Sequence, residues 1–121
     1  MVKTHQILLV DDCPVHLEFF SFYLDRLGIP YHTAQNGQEA IALVKDNEYS
    51  MILMDLEMPD MNGFETSREI RKTNPSAIIL AVSALPESEA KKKIFEYGIN
   101  EFVEKQDAIK RLSRTLSDRN I

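Results

Sequence analysis

Five residues able to do chemistry stand at or just beyond the ends of short apolar runs: Asp11 and Asp12, Asp55, Ser83, and Lys105. Three carboxylates brought to one place repel one another unless a cation or protons intervene. An all-oxygen donor set suits a hard ion such as Mg2+, which takes one or two carboxylates and keeps several waters. A lysine and a hydroxyl facing such an ion leave room for an anion, and a tetrahedral phosphoryl group fits that space. Asp55, at the rim of a buried run, would then act as a nucleophile towards phosphorus, with Lys105 and Ser83 taking the oxygens as charge develops. The product would be an aspartyl phosphate. Taken singly these residues have ordinary roles, since aspartates start turns and helices, serines cap helices and lysines are solvated. His5, His16 and His32 fall on different elements without ligand spacing and read as solvated or partly packed side chains.

The set gains meaning only if the chain brings those run ends to one edge. The runs are "QILLV" (6–10), "YHTA" (31–34), "MILM" (51–54), "AIILAV" (77–82) and "EFV" (101–103), each of strand length. Segments with helical spacing separate them, which is the pattern of a parallel sheet covered on both faces. Pro14 suits a first helical position, Gly28 and Gly98 suit helix ends, and Asn36 and Asn62 suit N-caps. The expected fold is therefore α/β, a flavodoxin-like (βα)5 three-layer sandwich with strand order 2-1-3-4-5. In such sheets ligands gather beyond the carboxyl ends of the strands, at the switch point between strands 1 and 3. Residues 1–121 read as one domain with a core from about 5 to 118.

Composition narrows the function classes. At 44% hydrophobic and 27% charged, the chain has the balance of a folded globular domain. Its one cysteine, Cys13, excludes an internal disulfide and a cysteine zinc cluster and fits a reducing compartment. A net charge of -5 opposes phosphate-backbone contact, so no direct nucleic-acid binding is expected. The N-terminus "MVKTHQILLV" lacks a signal-peptide pattern and no run approaches membrane-spanning length, so no membrane insertion and a cytoplasmic location are expected.

The pieces "ILLVDD" (7–12), "MILMDLEMPDMNGFE" (51–65), "AVSA" (81–84) and "FVEK" (102–105), in that order, resemble the receiver domains of two-component response regulators, the fold shared with the chemotaxis regulator CheY. The resemblance covers nearly the whole chain. It implies that Asp55 is the phosphoacceptor, that Asp12 binds Mg2+ directly, that Asp11 supports it partly through water, and that the Glu57 backbone carbonyl completes the protein ligands. Ser83 would hydrogen-bond the phosphoryl group and Lys105 would pair with it. The donor would be a phosphohistidine of a histidine kinase or histidine phosphotransfer protein, in a phosphorelay whose downstream target is not specified. Phosphorylation would move Ser83 and rotate Phe102, altering the face made by the fourth helix, fifth strand and fifth helix. Two positions depart from the common pattern: Gln106 stands where a proline usually follows the lysine, and Phe102 where tyrosine is commoner.

The first helix, "PVHLEFFSFYLDRLG", carries two apolar stripes. Leu17, Phe20, Leu24 and Leu27 form the expected core side, which leaves Val15, Phe19 and Phe22 as an expected docking surface for the donor. Ala90, Ile94 and Tyr97 read as the core side of the fourth helix, and Lys91, Lys92 and Lys93 as its solvated face, with an output surface for an acidic partner as the alternative. A haloacid-dehalogenase-type phosphatase also uses a strand-end aspartate, but position 57 is Glu57 where its second aspartate would stand, and no capping insertion is seen. The remaining alternative is a receiver-like interaction domain that is never phosphorylated. The chain reads as a single-domain regulator or as the receiver of a hybrid histidine kinase.

Overall fold

The computed structural model describes residues 6–84 and 87–118, so His5 lies outside the described residues. Five apolar runs, too short for helices and rich in β-branched and long aliphatic residues, pair as strands: β1 (Ile7–Val10), β2 (Tyr31–Ala34), β3 (Met51–Asp55), β4 (Ile78–Ser83) and β5 (Glu101–Glu104). Every pairing is parallel and the order is β2-β1-β3-β4-β5, as expected. Between the strands run α1 (Pro14–Leu27), α2 (Gly37–Asp46), α3 (Gly63–Thr73) and α4 (Glu87–Lys91), and α5 (Ala108–Asp118) follows β5.

Alternate residues of the strands feed two cores. Leu8, Val10, Ile52, Met54, Ile79 and Ala81 pack with the α2 and α3 side, where Val44 and Ile70 are buried. Ile7, Leu9, Met51, Leu53, Leu80 and Val82 pack with Leu17, Phe20 and Leu24 of α1 and Leu112 of α5. All five residues of β3 are buried, because it sits between neighbours and under helices on both faces. At roughly 1.5–3 kcal/mol for each fully buried large aliphatic side chain, this double core holds the strand ends in place.

The helix signals act where expected. Asn36 and Asn62 each accept a hydrogen bond from the backbone three residues on, at Glu39 (2.8 Å) and Glu65 (2.9 Å). Gly28 ends α1 in the left-handed conformation, at φ 71°. Val15, Phe19 and Phe22 are exposed at 68%, 61% and 62%.

Three expectations need correction or refinement. Leu27, assigned above to the core stripe, is 50% exposed. At about 100° per residue it is rotated about 80° from Leu17, whereas Leu24 is rotated by only about 20°. The fourth helical segment is not one helix: α4 stops at Lys91 and a separate 3-10 turn spans Ile94–Tyr97. Bonds from Lys93 to Ala90 and from Glu96 to Lys93 tighten the winding to three-residue spacing. Ala90 and Ile94 are buried nonetheless, and Tyr97 packs against the same core. Finally, Asp55 and Ser83 are the last residues of their strands rather than the first beyond them, because both still pair, with Val82 and Glu104.

Candidate functional site

Sheet register brings the site together. Val10 pairs with Met54, so Asp11 and Asp55 leave adjacent strands side by side. Among the described residues, Asp11, Asp12 and Asp55 each offer a carboxylate oxygen, all within 4.8 Å of one another. Asp11 and Asp55 are buried, 5% and 3% exposed, while Asp12 faces solvent. Lys105, just beyond β5, crosses the end of β4 to place Nζ 3.6 Å from Asp11 Oδ2 and 3.8 Å from Asp55 Oδ2. All described peptide bonds are trans, and Gln106 sits in a 3-10 turn, Lys105–Asp107, that leads into α5.

The turn after β3 is shaped by close packing. The start of α3 lies so near the end of β3 that a Cβ on Gly63 would strike the Asp55 carbonyl oxygen and come within 2.8 Å of the Leu56 Cα. Gly63 N–H donates to the Leu56 carbonyl (3.1 Å) and Glu57 N–H donates to Asp55 Oδ1 (3.1 Å). The glycine lets the loop fold back, and the loop then orients the carboxylate.

The electrostatics of Asp55 are unfavourable as they stand. Burial first, and then the neighbouring charge of Asp11, push its carboxyl up to about 7, against the opposing pull of the Glu57 N–H and Lys105. One lysine therefore does not offset three carboxylates. A hard divalent cation would supply the missing charge, and the oxygen-only donor set fits such an ion. Ser83 is fully buried and its Oγ donates to Glu57 Oε1 (3.2 Å). Phe102 is buried in the core beside Ala81 of β4.

His16 is the residue that sequence reasoning missed. It is partly packed, as the sequence allowed, but it also places Nδ1 3.1 Å from Asp11 Oδ2, a contact the sequence reading did not include. The available signal was Pro14: a helix that begins there returns its first turn over the end of β1, bringing position 16 back to position 11. Val15, Phe19 and Phe22 take no part in the acidic cluster and lie along the exposed side of α1.

The family model described as response regulator receiver domain matches residues 7–117. The chain is 38% identical over 116 residues to hybrid signal transduction histidine kinase B of Dictyostelium discoideum, covering 85% of this chain but only 6% of that kinase's length. It superimposes with a TM-score of 0.83, at 30% identity, on the Thermotoga maritima response regulator TrrA in complex with Mg(2+)-BeF, covering 94% of this chain and 97% of that one. The receiver domain of the Saccharomyces cerevisiae response regulator Ssk1, seen with the histidine phosphotransfer protein Ypd1, gives a TM-score of 0.86 at 26% identity, covering 97% of this chain and 89% of the other. Among the described residues no helix is long and apolar enough to cross a membrane.

Proposed function

The chain belongs to the response regulator receiver domain family of two-component phosphorelay signalling, and from that premise we propose that Asp55 takes a phosphoryl group from a phosphohistidine. The donor is a histidine kinase or a histidine phosphotransfer protein. An Asp55 carboxylate oxygen forms the new P–O bond as the P–N bond to the donor imidazole breaks, and the imidazole leaves with a proton drawn from water. Asp12 would hold Mg2+ directly, Asp11 partly through water, and Asp55 and the Glu57 carbonyl would complete the protein ligands. The ion, when bound, supplies positive charge against the phosphoryl oxygens. Lys105, already within 4 Å of both buried carboxylates, pairs with one phosphoryl oxygen. Ser83 exchanges its bond to Glu57 for another.

The observation that carries this reading is the meeting of three carboxylates and one lysine, from three segments, at the carboxyl ends of β1, β3 and β5. Movement of Ser83 would let Phe102 rotate from its buried position and change the surface formed by α4, β5 and α5. The exposed Val15, Phe19 and Phe22 would receive the donor's helical bundle. We read the chain as one receiver domain acting in the cytoplasm, either as a single-domain regulator or as the receiver of a hybrid kinase.

The test is intact mass after incubation with Mg2+ and acetyl phosphate, beside Asp55→Asn and a sample with EDTA. One phosphoryl adduct that requires both Asp55 and Mg2+ is expected. No adduct on the unaltered chain would favour a phosphorylation-independent interaction domain.

A further inference from the structure

We propose that His16 is a positioning residue for the acidic cluster: its Nδ1–H holds the Asp11 carboxylate in the orientation that supports the cation. The inference rests on the reading of Asp11, Asp12 and Asp55 as a metal-binding set. Asp11 Oδ1 accepts a hydrogen bond from the Cys13 backbone N–H (2.9 Å), which fixes one end of the carboxylate. The other oxygen, Oδ2, faces two donors, His16 Nδ1 at 3.1 Å and Lys105 Nζ at 3.6 Å.

These two donors are not equivalent. Lys105 is shared with Asp55, 3.8 Å away, and in the proposed reaction it turns to a phosphoryl oxygen. His16 has no such second duty. It sits on the first turn of α1, whose Pro14 start and buried Leu17 and Phe20 fix the helix against the sheet. When Lys105 leaves Oδ2, His16 and the Cys13 amide still hold both ends of the carboxylate. A carboxylate accepts hydrogen bonds but does not donate them, so a neutral imidazole in this contact must carry its proton on Nδ1. Partners of this kind set the orientation of a metal-supporting carboxylate, and losing them typically lowers metal affinity about 10- to 100-fold.

The experiment uses the whole chain at about pH 8. Mg2+ is titrated into the unaltered chain, His16→Leu and His16→Asn, followed by the backbone amide resonances of Asp12 and Glu57. The same spectra report folding. Asparagine carries its N–H the same number of bonds from the backbone as Nδ1, so it tests the donor rather than the ring. His16→Leu should bind Mg2+ roughly tenfold more weakly and His16→Asn should recover most of the loss. Long-range proton–nitrogen correlation of the imidazole should show the Nδ1–H form, lost in Asp11→Ala. Equal affinity in all three chains, an asparagine variant as weak as the leucine variant, or an Nε2–H imidazole would each overturn the role of His16 while leaving the metal site standing. No response to Mg2+ in the unaltered chain would overturn the metal reading and this inference with it.

Discussion

Two charged side chains packed into this molecule, Arg71 and Asp55, are treated in opposite ways. Arg71, on the last turn of α3, donates to the carbonyls of Gly98 (2.7 Å), Asn74 (3.2 Å), Pro75 (3.2 Å) and Ala77 (2.5 Å) and to Asn100 Oδ1 (2.7 Å). Burial lowers its affinity for the proton, yet Nε, Nη1 and Nη2 each find acceptors and it binds two loops together, the one after α3 and the one before β5. Asn100 Oδ1 extends the link by also accepting from Ile79 N–H (2.8 Å) in β4. Asp55 has one backbone donor and a lysine nearly 4 Å away, and its neighbour is another carboxylate. The contrast separates a charge satisfied by the fold from one the fold leaves largely unsatisfied. The first stabilises the native state, and the second lowers its stability while its charge is not offset.

The largest expected effect breaks the satisfied side of this comparison. Arg71→Met should cost about 3 kcal/mol in urea unfolding, because four carbonyls lose a donor and the 3-10 turn before β5 loses its tie to α3. A cost under about 0.5 kcal/mol would mean that water replaces Arg71 without penalty and that the two sites do not differ.

Asp55→Asn sharpens the other side and has the opposite sign. In the folded chain Asp55 keeps its proton up to about pH 7, while in the unfolded chain it releases it near the ordinary carboxylate value of about 4. Between those values the folded state binds more protons, so this group's contribution to stability falls as pH rises. Asp55→Asn should therefore stabilise the chain by on the order of 2 kcal/mol at pH 8, with the gain shrinking to nothing by about pH 4. Unfolding curves at three pH values decide it, and a pH-independent gain would point to packing instead.

The same imbalance makes two further predictions. Mg2+ should raise the melting temperature of the unaltered chain more than that of Asp55→Asn, since binding to the native state alone stabilises it. At limiting Mg2+, phosphorylation by acetyl phosphate should increase as pH passes through about 7 and Asp55 ionises. Excess cation should shift that rise to lower pH. The smallest stability effect belongs to the exposed stripe of α1. Phe22→Glu should change stability by less than about 0.5 kcal/mol, slow phosphotransfer from a phosphohistidine protein, and spare phosphorylation by acetyl phosphate. Equal loss with both donors would remove Phe22 from the docking surface.

Much of this was legible in the chain because the relevant signals are local. Asn36, Asn62, Pro14 and Gly28 mark helix ends through their own backbone chemistry, and the alternation of short apolar runs with helical segments implies a parallel sheet. The fourth helical segment was less legible: the spacing of Ala90, Ile94 and Tyr97 identifies residues that pack inward but does not distinguish one α-helix from a short helix followed by a 3-10 turn. Leu27 was misread because a stripe written as spacing hides the drift of angle along a helix.

The sequence by itself determined the element types, their order and the four separated segments that carry Asp11, Asp12, Asp55, Ser83 and Lys105. Only the tertiary structure decided how those segments meet. Sheet register sets Asp11 beside Asp55, Gly63 permits the turn that orients Asp55, and the path of Lys105 over β4 brings one cation to two carboxylates. The five-acceptor grip of Arg71 was equally invisible beforehand, and Pro14 alone hinted at the contact between His16 and Asp11. Hydrogen bonds and charge interactions depend on distances of a few ångströms between residues remote in the chain, and those distances exist only once both cores have packed.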